Sequence, residues 1–565
     1  MDVRELALKH ALRNAYTHGG KAQLKAVITA ILAENPDLRK KVKEIIPIVK
    51  EVIEEVNKMS LEEQERMLKE KFPEALERKV KEEKKGLPPL PNAEKGRVKT
   101  RFAPNPDFYM TLGNARPAIV SHEYARLYSG KFVLRFEDTD PRTKRPMPEA
   151  YDAIKEDLEW LGIKWDEEYV QSLRMEIYYK LLKELIERGG AYVCTCPPEV
   201  WKKYRDAKKP CPHRDEPPEV HMERLEKIFE GEYGEGEAVV RIKTDMSHPD
   251  PSVRDWVAFR IIDTSKHPHP LTGDKYRLWP TYNFAAGVDD YLMGITHILR
   301  AREHRQNTTK QEFLYKHFGW KMPTVIHFGR LKLEGFVLSK SKMREMGLKG
   351  DDPRLATIRG LRKRGFTPES IREIMISVGI KSSDASISFD NLAAANRKVI
   401  DPRAKRLMVV TEPVKVKLVM PEKLNAKLPW HPKVPEMGYR EYTVEPNSIV
   451  YLNEADVRRA IKRGGLRLME LGNFKFKDFD IENNVYVFEF LSKDLEDAKE
   501  RGLDIVQWVH KPIESIIWMP GQGFVSAKAE PEARNVEGWV QLIRFGYAKV
   551  EGFEDNTLKM IYLHD

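Results

Sequence analysis

RFAPNPDFYMTLGNAR, residues Arg101–Arg116, reads as a short strand, a Pro-rich turn, and a helix opening at Gly113-Asn114. A glycine-bearing turn from strand to helix lets backbone N–H groups and the positive end of the helix dipole approach a phosphate closely. Far downstream, VLSKSK at Val337–Lys342 is a loop of small hydroxyls and two lysines. Such a loop adds positive charge to the same phosphates as they react. Outward from the first stretch, VKTRFAP is a strand, Ala115–Ser129 is helical and closed by Gly130, and KFVLRFED is a second strand. EAYDAIKEDLEWLG then puts Tyr151, Ile154, Leu158 and Leu161 on one helix face, with Gly162 as its C-cap. This alternation predicts a parallel sheet covered on both faces, with ligands at the carboxyl ends of its strands.

Ahead of this region the chain reads as helical. In KAQLKAVITAILAENP, Leu24, Val27, Ile31 and Leu32 recur at helical spacing and Asn35-Pro36 stops the run. VKEIIPIVKEVIEEV predicts a second helix that Pro47 kinks or whose start it displaces. KEEKKGLPPLPNAEKG loses periodicity and reads as a linker. Between about Ala191 and Trp279 the α/β rhythm breaks into a cysteine segment and short strands such as GEAVVRIKTD, an insertion. The rhythm resumes with TYNFAAGVDDYLMGITHILRAREH, and helices such as PESIREIMISVG follow to about Asn396. Beyond Asp401, VKVKLVM, REYTV, SIVYL and VYVFEFL alternate as strands, which predicts one or two β-barrels.

A chain of 565 residues holds several domains. Charged residues are 33% of it, dominated by Lys and Glu, a composition that suits a protein from a hot environment. The net charge of +10 favours a polyanionic partner. No apolar run reaches the ~20 residues that span a bilayer, so no membrane partner is expected. MDVRELALKH lacks the apolar core of a signal peptide, and three closely spaced cysteines do not make a secreted disulfide framework, so a cytoplasmic location is expected. Those cysteines, Cys194, Cys196 and Cys211, are followed by His213. Two C-x-C/H pairs separated by a short loop suit tetrahedral Zn²⁺; the alternative is three buried or free thiols.

Seven stretches in one order, RFAPNPDFYMTLGNARPA, FVLRFEDTDP, AYVCTCPPE, AVVRIKTDMSHPDPSVRDW, YNFAAGVDDYLMGITHILRAREH, VLSKSK and RLMELGNF, resemble the archaeal-type glutamyl-tRNA synthetases. These are class I aminoacyl-tRNA synthetases of the glutamyl/glutaminyl subclass. The resemblance implies a multidomain α/β protein. Residues 1–95 would be a helical N-terminal extension with linker, and 96–190 the first half of a Rossmann-type catalytic domain. An acceptor-binding insertion with the zinc site would span 191–279, and the second catalytic half 280–345. Helices connect over 346–400, and all-β anticodon-binding barrels fill 401–565.

The implied reaction joins L-glutamate to the 3′-terminal adenosine of glutamate tRNA. ATP with Mg²⁺ first yields glutamyl-adenylate and pyrophosphate, and a ribose 2′-OH then takes the glutamyl group. In the HIGH-like signature, Gly113 admits the nucleotide, and Thr111 and Asn114 stand where the family usually has histidines, Thr111 being the departure. In the KMSKS-like signature, Ser339, Lys340 and Ser341 match the core, Val337 replaces the first lysine, and Lys340 would neutralise the leaving pyrophosphate. Carried over for glutamate are Arg101 for a carboxylate, Glu137 for the α-ammonium, Tyr282 as phenol and wall, and Arg300 for specificity. A buried guanidinium facing a neutral amide is left unpaired, at a cost on the order of several kcal/mol, which favours glutamate over glutamine. The alternative for Arg300 is a helix cap or a pair with Asp289 or Asp290. Two other functions stay open at this point: an enzyme that also charges glutamine tRNA, and an RNA-binding paralogue with weak catalysis. Arg403, Arg406, Arg467 and Lys475 lie near strands of the tail, where any could touch RNA or be a solvated charge. The N-terminal helices are expected to assist tRNA or a protein partner.

Overall fold

The computed structural model describes residues 3–17, 20–72, 86–335 and 347–565, and the chain divides between residues 85 and 86 into two units. The first unit contains helices Val3–Thr17, Leu24–Glu34, Val42–Asn57 and Leu61–Lys71. Leu6, Val27, Ile31, Val49, Val52 and Leu68 are its buried stripe. Asn35 ends the second helix and Pro36 opens a 3₁₀ turn, as the sequence reading has it. Pro47 does not displace the third helix, which starts at Val42 and runs through it. One lost hydrogen bond in the second turn is outweighed by the buried face of Ile45, Val49, Val52, Ile53 and Val56. Ser60 and Glu63 close a reciprocal capping box at the start of the fourth.

In the second unit, strand Lys131–Phe136 lies between Lys99–Phe102 and Glu167–Val170, all parallel. On the free side of Lys99–Phe102, Thr296 N donates to Lys99 O at 2.9 Å. That bond brings in a second parallel pair, His297–Ala301 with Thr324–Phe328. Strand order therefore reverses between Lys99–Phe102 and His297–Ala301, and a crevice opens at such a switch point. Helices Leu112–Leu127 and Pro148–Trp160 cover the sheet, burying Leu112, Ala115, Ile119, Ile154 and Leu158 against Phe132, Leu134 and Phe136.

Two local readings change. Gly162 is left-handed (φ 74°) after its helix, as expected, but Gly130 is not the left-handed residue after the earlier one. Ser129 takes that conformation (φ 51°). Gly130 is needed for close approach instead, because a Cβ there would sit 2.0 Å from the Val98 carbonyl oxygen. The expected linker contains the division between the two units, and its described part, from Gly86, packs on the second unit. Tyr124 OH donates to Pro88 O (2.8 Å), Leu90 N donates to Tyr128 OH (2.9 Å), and Leu90 is buried. Proline-rich backbone has carbonyls to spare for such bonds.

The region after residue 190 is a four-stranded antiparallel sheet of Ala191–Cys194, Val239–Ile242, Val257–Ile261 and Leu278–Pro280, with helices Pro198–Asp206 and Pro218–Glu230. Helices Ile358–Arg364, Pro368–Val378 and Phe389–Ile400 lead to the β-rich tail. The tail contains two seven-stranded sheets. In one, the outer strands Lys405–Leu407 and Val409–Thr411 are separated by Met408 alone, so the sheet curls until its edges meet. The other ends on Ile505–Val506 and Val509–His510, with the same consequence. Closure removes exposed edges. The tail also contains a helix, Glu454–Arg463, too short for its periodicity to stand out, which buries Val457 and Ala460. Among the described residues no helix is long and apolar enough to cross a membrane.

Gly130→Ala is expected to cost about 1–3 kcal/mol of stability, the usual penalty for overpacking against fixed backbone. Denaturant unfolding monitored by circular dichroism checks this; an unchanged midpoint refutes the close-approach argument.

Candidate functional site

A cleft of about 990 Å³ opens at the switch point, lined by Arg101, Gly113, Asn114, Glu137, Tyr282 and Arg300 among others. Residues from distant parts of the chain meet because each stands at a strand end or helix start. Arg101 is in Lys99–Phe102, Glu137 directly follows Lys131–Phe136, Tyr282 begins helix Tyr282–Leu292, and Arg300 is in His297–Ala301.

The floor is a charge network. Asp290, two turns along the helix that Tyr282 opens, accepts from Arg101 Nε (3.0 Å) and Nη2 (3.2 Å) and from Arg135 Nη1 (2.9 Å). Arg135 Nη2 continues to Glu137 Oε1 at 2.9 Å. Burial disfavours the Asp290 carboxylate, but Arg101 and Arg135 outweigh it and hold its pKa at about 2. Burial raises the Glu137 carboxyl, and Arg135 and Arg101 only partly reverse that. Tyr282 is raised by burial and then by the charge of Glu137. His304 is pushed down to about 4 by burial, Arg300 and Arg101, so its ring is neutral at pH 7.

Arg300 is bound differently. Its Nη1 donates to Tyr282 OH (3.4 Å), and its Nη2 to Thr308 Oγ1 (2.6 Å) and Gln311 Oε1 (3.0 Å). No carboxylate pairs with it among the described residues. The alternative partners named above are engaged elsewhere: Asp290 as described, and Asp289 with Arg174, Gln171 and Tyr178. Arg101 and Arg135 thus have the carboxylates Asp290 and Glu137 beside them, and Arg300 has none. A buried surplus charge is costly until an anion offsets it.

At the phosphate-type turn, Thr111 Oγ1 donates to Asn114 Oδ1 at 2.9 Å, so this hydroxyl is already committed. The Gly113 N–H, in contrast, takes no partner among the described residues. A methyl at Gly113 would meet nothing nearer than Thr111 Oγ1 at 3.7 Å, so packing within the protein does not demand glycine there. Arg116, one turn on, donates to Gly329 O (2.7 Å) and Gly379 O (2.9 Å), and its burial lowers its pKa to about 10. Ser339, Lys340 and Ser341 lie outside the described residues. The chain after them returns beside the turn, where Leu112 N donates to Ala356 O and Ile358 N to Met110 O.

Cys194, Cys196, Cys211 and His213 bring four ligand atoms within 4.8 Å of one another. Cys194 and Cys211 Sγ atoms are 3.9 Å apart, and Cys196 Sγ is 3.4 Å from His213 Nδ1. Tetrahedral zinc has S–S edges of about 3.8 Å and S–N edges of about 3.6 Å. Thr195 Oγ1 at 3.1 Å from His213 Nε2 orients the imidazole. The donor set fits the metal. Elsewhere, Arg467 turns inward to Asn473 and two backbone carbonyls, Arg406 pairs with Asp401, and Lys475 pairs with Glu489.

Asp290, Arg135, Thr308 and Gln311 were not read from the sequence as site residues. The one available signal was a pair of acids, Asp289-Asp290, inside an otherwise apolar helix.

A crevice at the switch point of a doubly wound sheet, with an open N–H at a helix start, defines a nucleotide-binding α/β protein. The family model for the catalytic domain of class I (E and Q) tRNA synthetases matches residues 97–402, and that for their anti-codon binding domain matches 404–492. The chain belongs to this family. It is 75% identical to the glutamate–tRNA ligase of Ignicoccus hospitalis over 565 residues, all of both chains. The ligase of Staphylothermus marinus is 52% identical over 98% of this chain and all of its own. That of Pyrobaculum aerophilum is 50% identical over the full length of both.

Asp290→Asn leaves Arg101 and Arg135 without their shared counter-charge and is expected to cost about 3–5 kcal/mol. Thermal and denaturant unfolding check this; a loss below 1 kcal/mol would mean the network is not a support of the fold.

Proposed function

We propose that the chain is a glutamate–tRNA ligase, which joins L-glutamate to glutamate tRNA at the expense of ATP. The observation that carries the reading is Arg300, a buried guanidinium at the cleft with no carboxylate partner among the described residues. Its positive charge is not neutralised by the protein, and the side-chain carboxylate of glutamate brings the negative charge that offsets it. Arg300 and Tyr282 take the side-chain carboxylate. Glu137 takes the α-ammonium with the oxygen that Arg135 leaves free, and Arg101 takes the α-carboxylate through Nη1, its nitrogen not held by Asp290.

ATP enters as its Mg²⁺ complex, with phosphates at the Gly113 N–H and the helix start. The α-carboxylate attacks the α-phosphorus, forming a C–O–P bond while the bond to pyrophosphate breaks. Lys340 and the neighbouring Ser339 and Ser341 stabilise the charge that leaves. The tRNA 2′-OH then attacks the acyl carbon and expels AMP. Both steps need positioning and fixed positive charge, not a covalent nucleophile on the protein. The hydroxyl of Thr111 donates to Asn114 Oδ1, so at these positions the phosphate donors are the backbone N–H of Gly113 and the Asn114 amide Nδ2.

Zn²⁺ held by Cys194, Cys196, Cys211 and His213 would have a structural role, supplying a crosslink beside the small apolar cluster of Tyr192, Trp201 and Met246, apart from the insertion's main core. That insertion grips the acceptor stem, the β-barrels read the anticodon, and the N-terminal helices assist tRNA or partner binding. The domain limits are those given above from the sequence, and the protein works in the cytoplasm.

Charging assays with labelled glutamate or glutamine, ATP, Mg²⁺ and purified glutamate tRNA test the assignment. Transfer of glutamate alone is expected, and transfer of glutamine at comparable kcat/KM refutes it. Metal analysis is expected to find about one zinc per chain, lost in Cys211→Ser together with several degrees of Tm. A metal-free wild-type protein of equal Tm would exclude the structural zinc.

A further inference from the structure

Arg300 is held by a neutral cradle. Thr308 and Gln311 both stand on helix Arg305–Phe318, and both are buried. Together their oxygens occupy the two N–H groups of Nη2. With Nη2 filled, neither bidentate fork of the guanidinium is open to a ligand, since each fork uses that nitrogen. What remains toward the cleft is Nη1, beside Tyr282 OH.

The polarity of Gln311 has a cost. Its amide nitrogen is buried without a partner among the described residues, as is Arg300 Nε. An unpaired buried donor lowers stability, which an apolar side chain of the same length would avoid. The amide oxygen on Arg300 is what that cost supports. Close helix packing fixes the side chain: a Cβ at Gly287 would already lie 3.4 Å from Gln311 Cγ. Thr308 is fixed by His327, whose Nε2 lies 2.9 Å from its Oγ1. The Thr308 hydroxyl donates to the His304 backbone carbonyl at 3.3 Å, which places its proton away from Arg300. Thr308 then presents an oxygen lone pair to Arg300.

We propose that Gln311 and Thr308 are positioning residues for amino-acid specificity: they hold the Arg300 guanidinium without neutralising it and expose one nitrogen, Nη1, to the substrate carboxylate. An acidic residue at 311 would hold Arg300 as firmly, yet would remove the surplus charge that selects a charged side chain over its amide. This inference rests on the glutamate–tRNA ligase reading given above.

The test is Gln311→Glu, nearly isosteric, beside Thr308→Val and the hydroxyl-retaining Thr308→Ser, in the full-length protein with glutamate tRNA, ATP and Mg²⁺. For Gln311→Glu the ratio of kcat/KM for glutamate to that for glutamine is expected to fall at least about tenfold, the low end for a close charge pair. The loss should appear as a higher KM for glutamate, with KM for ATP unchanged. Thr308→Val is expected to lower the ratio and Thr308→Ser to keep it. If Gln311→Glu folds to the wild-type Tm and its ratio stays within twofold of wild type, the inference is overturned. If it does not fold, equal ratios for Thr308→Val and Thr308→Ser overturn it. Failure of the wild-type protein to charge glutamate would instead refute the parent reading.

Discussion

One carboxylate between two buried guanidiniums sets the arrangement of the whole cleft. Asp290 binds Arg101 from one strand and Arg135 from the next, and it stands on the helix that begins with Tyr282. Three elements are thereby tied at one point, and the side chains they carry are fixed relative to one another. Two cations this close would repel in a poorly solvated site, and the shared anion turns that repulsion into a clamp. Its neighbour Asp289 does the same on the other side of the helix, taking Arg174, Gln171 and Tyr178. Two successive acids thus anchor the helix in two directions.

The same accounting explains why Arg300 behaves differently. Arg101 and Arg135 have an acid supplied by the protein; Arg300 has a hydroxyl, an amide and a phenol. Neutral acceptors fix geometry and leave charge. A site built this way is stable enough to fold and still incomplete until an anion arrives, which is how fold stability and ligand selection are kept apart in one small volume.

Much of this was legible in the sequence, for identifiable reasons. Arg101, Glu137, Tyr282 and Arg300 belong to short motifs at strand ends and a helix start, and the alternation of strands and helices already implied that such ends converge. Period and punctuation report burial and boundaries; they do not report partners. Arg135 reads as one more residue of KFVLRFED, and Gln311 falls in a stretch whose sequence carries no motif. Only the fold shows that the first is fully buried on Asp290 and the second on Arg300. Gly130 misled for a related reason. A glycine after a helix usually supplies the left-handed conformation, whereas here the Val98 carbonyl left no room for a Cβ and Ser129 took the turn. The proline-rich stretch reads as a linker and contains the division between the two units; what composition does not report is that its part from Gly86 packs, Leu90 and Pro88 bonding to Tyr128 and Tyr124.

The cysteine cluster extends the same logic to the insertion. Its sheet has short strands of three to five residues. Near Cys194 and Cys211 the apolar packing is confined to Tyr192, Trp201, Met246 and a few partly buried neighbours. So small a cluster supplies little hydrophobic stabilisation, and natural modules of this kind add a crosslink or a metal. The ligands come from the end of strand Ala191–Cys194 and from the loop between helices Pro198–Asp206 and Pro218–Glu230. A metal there would join the sheet to the loop. In the catalytic cleft a shared charge does the joining, because hydrophobic contact would leave no room for a polar substrate. Beside Cys194 and Cys211 thiolates around a metal would do it, because that corner of the insertion has little apolar surface to bury.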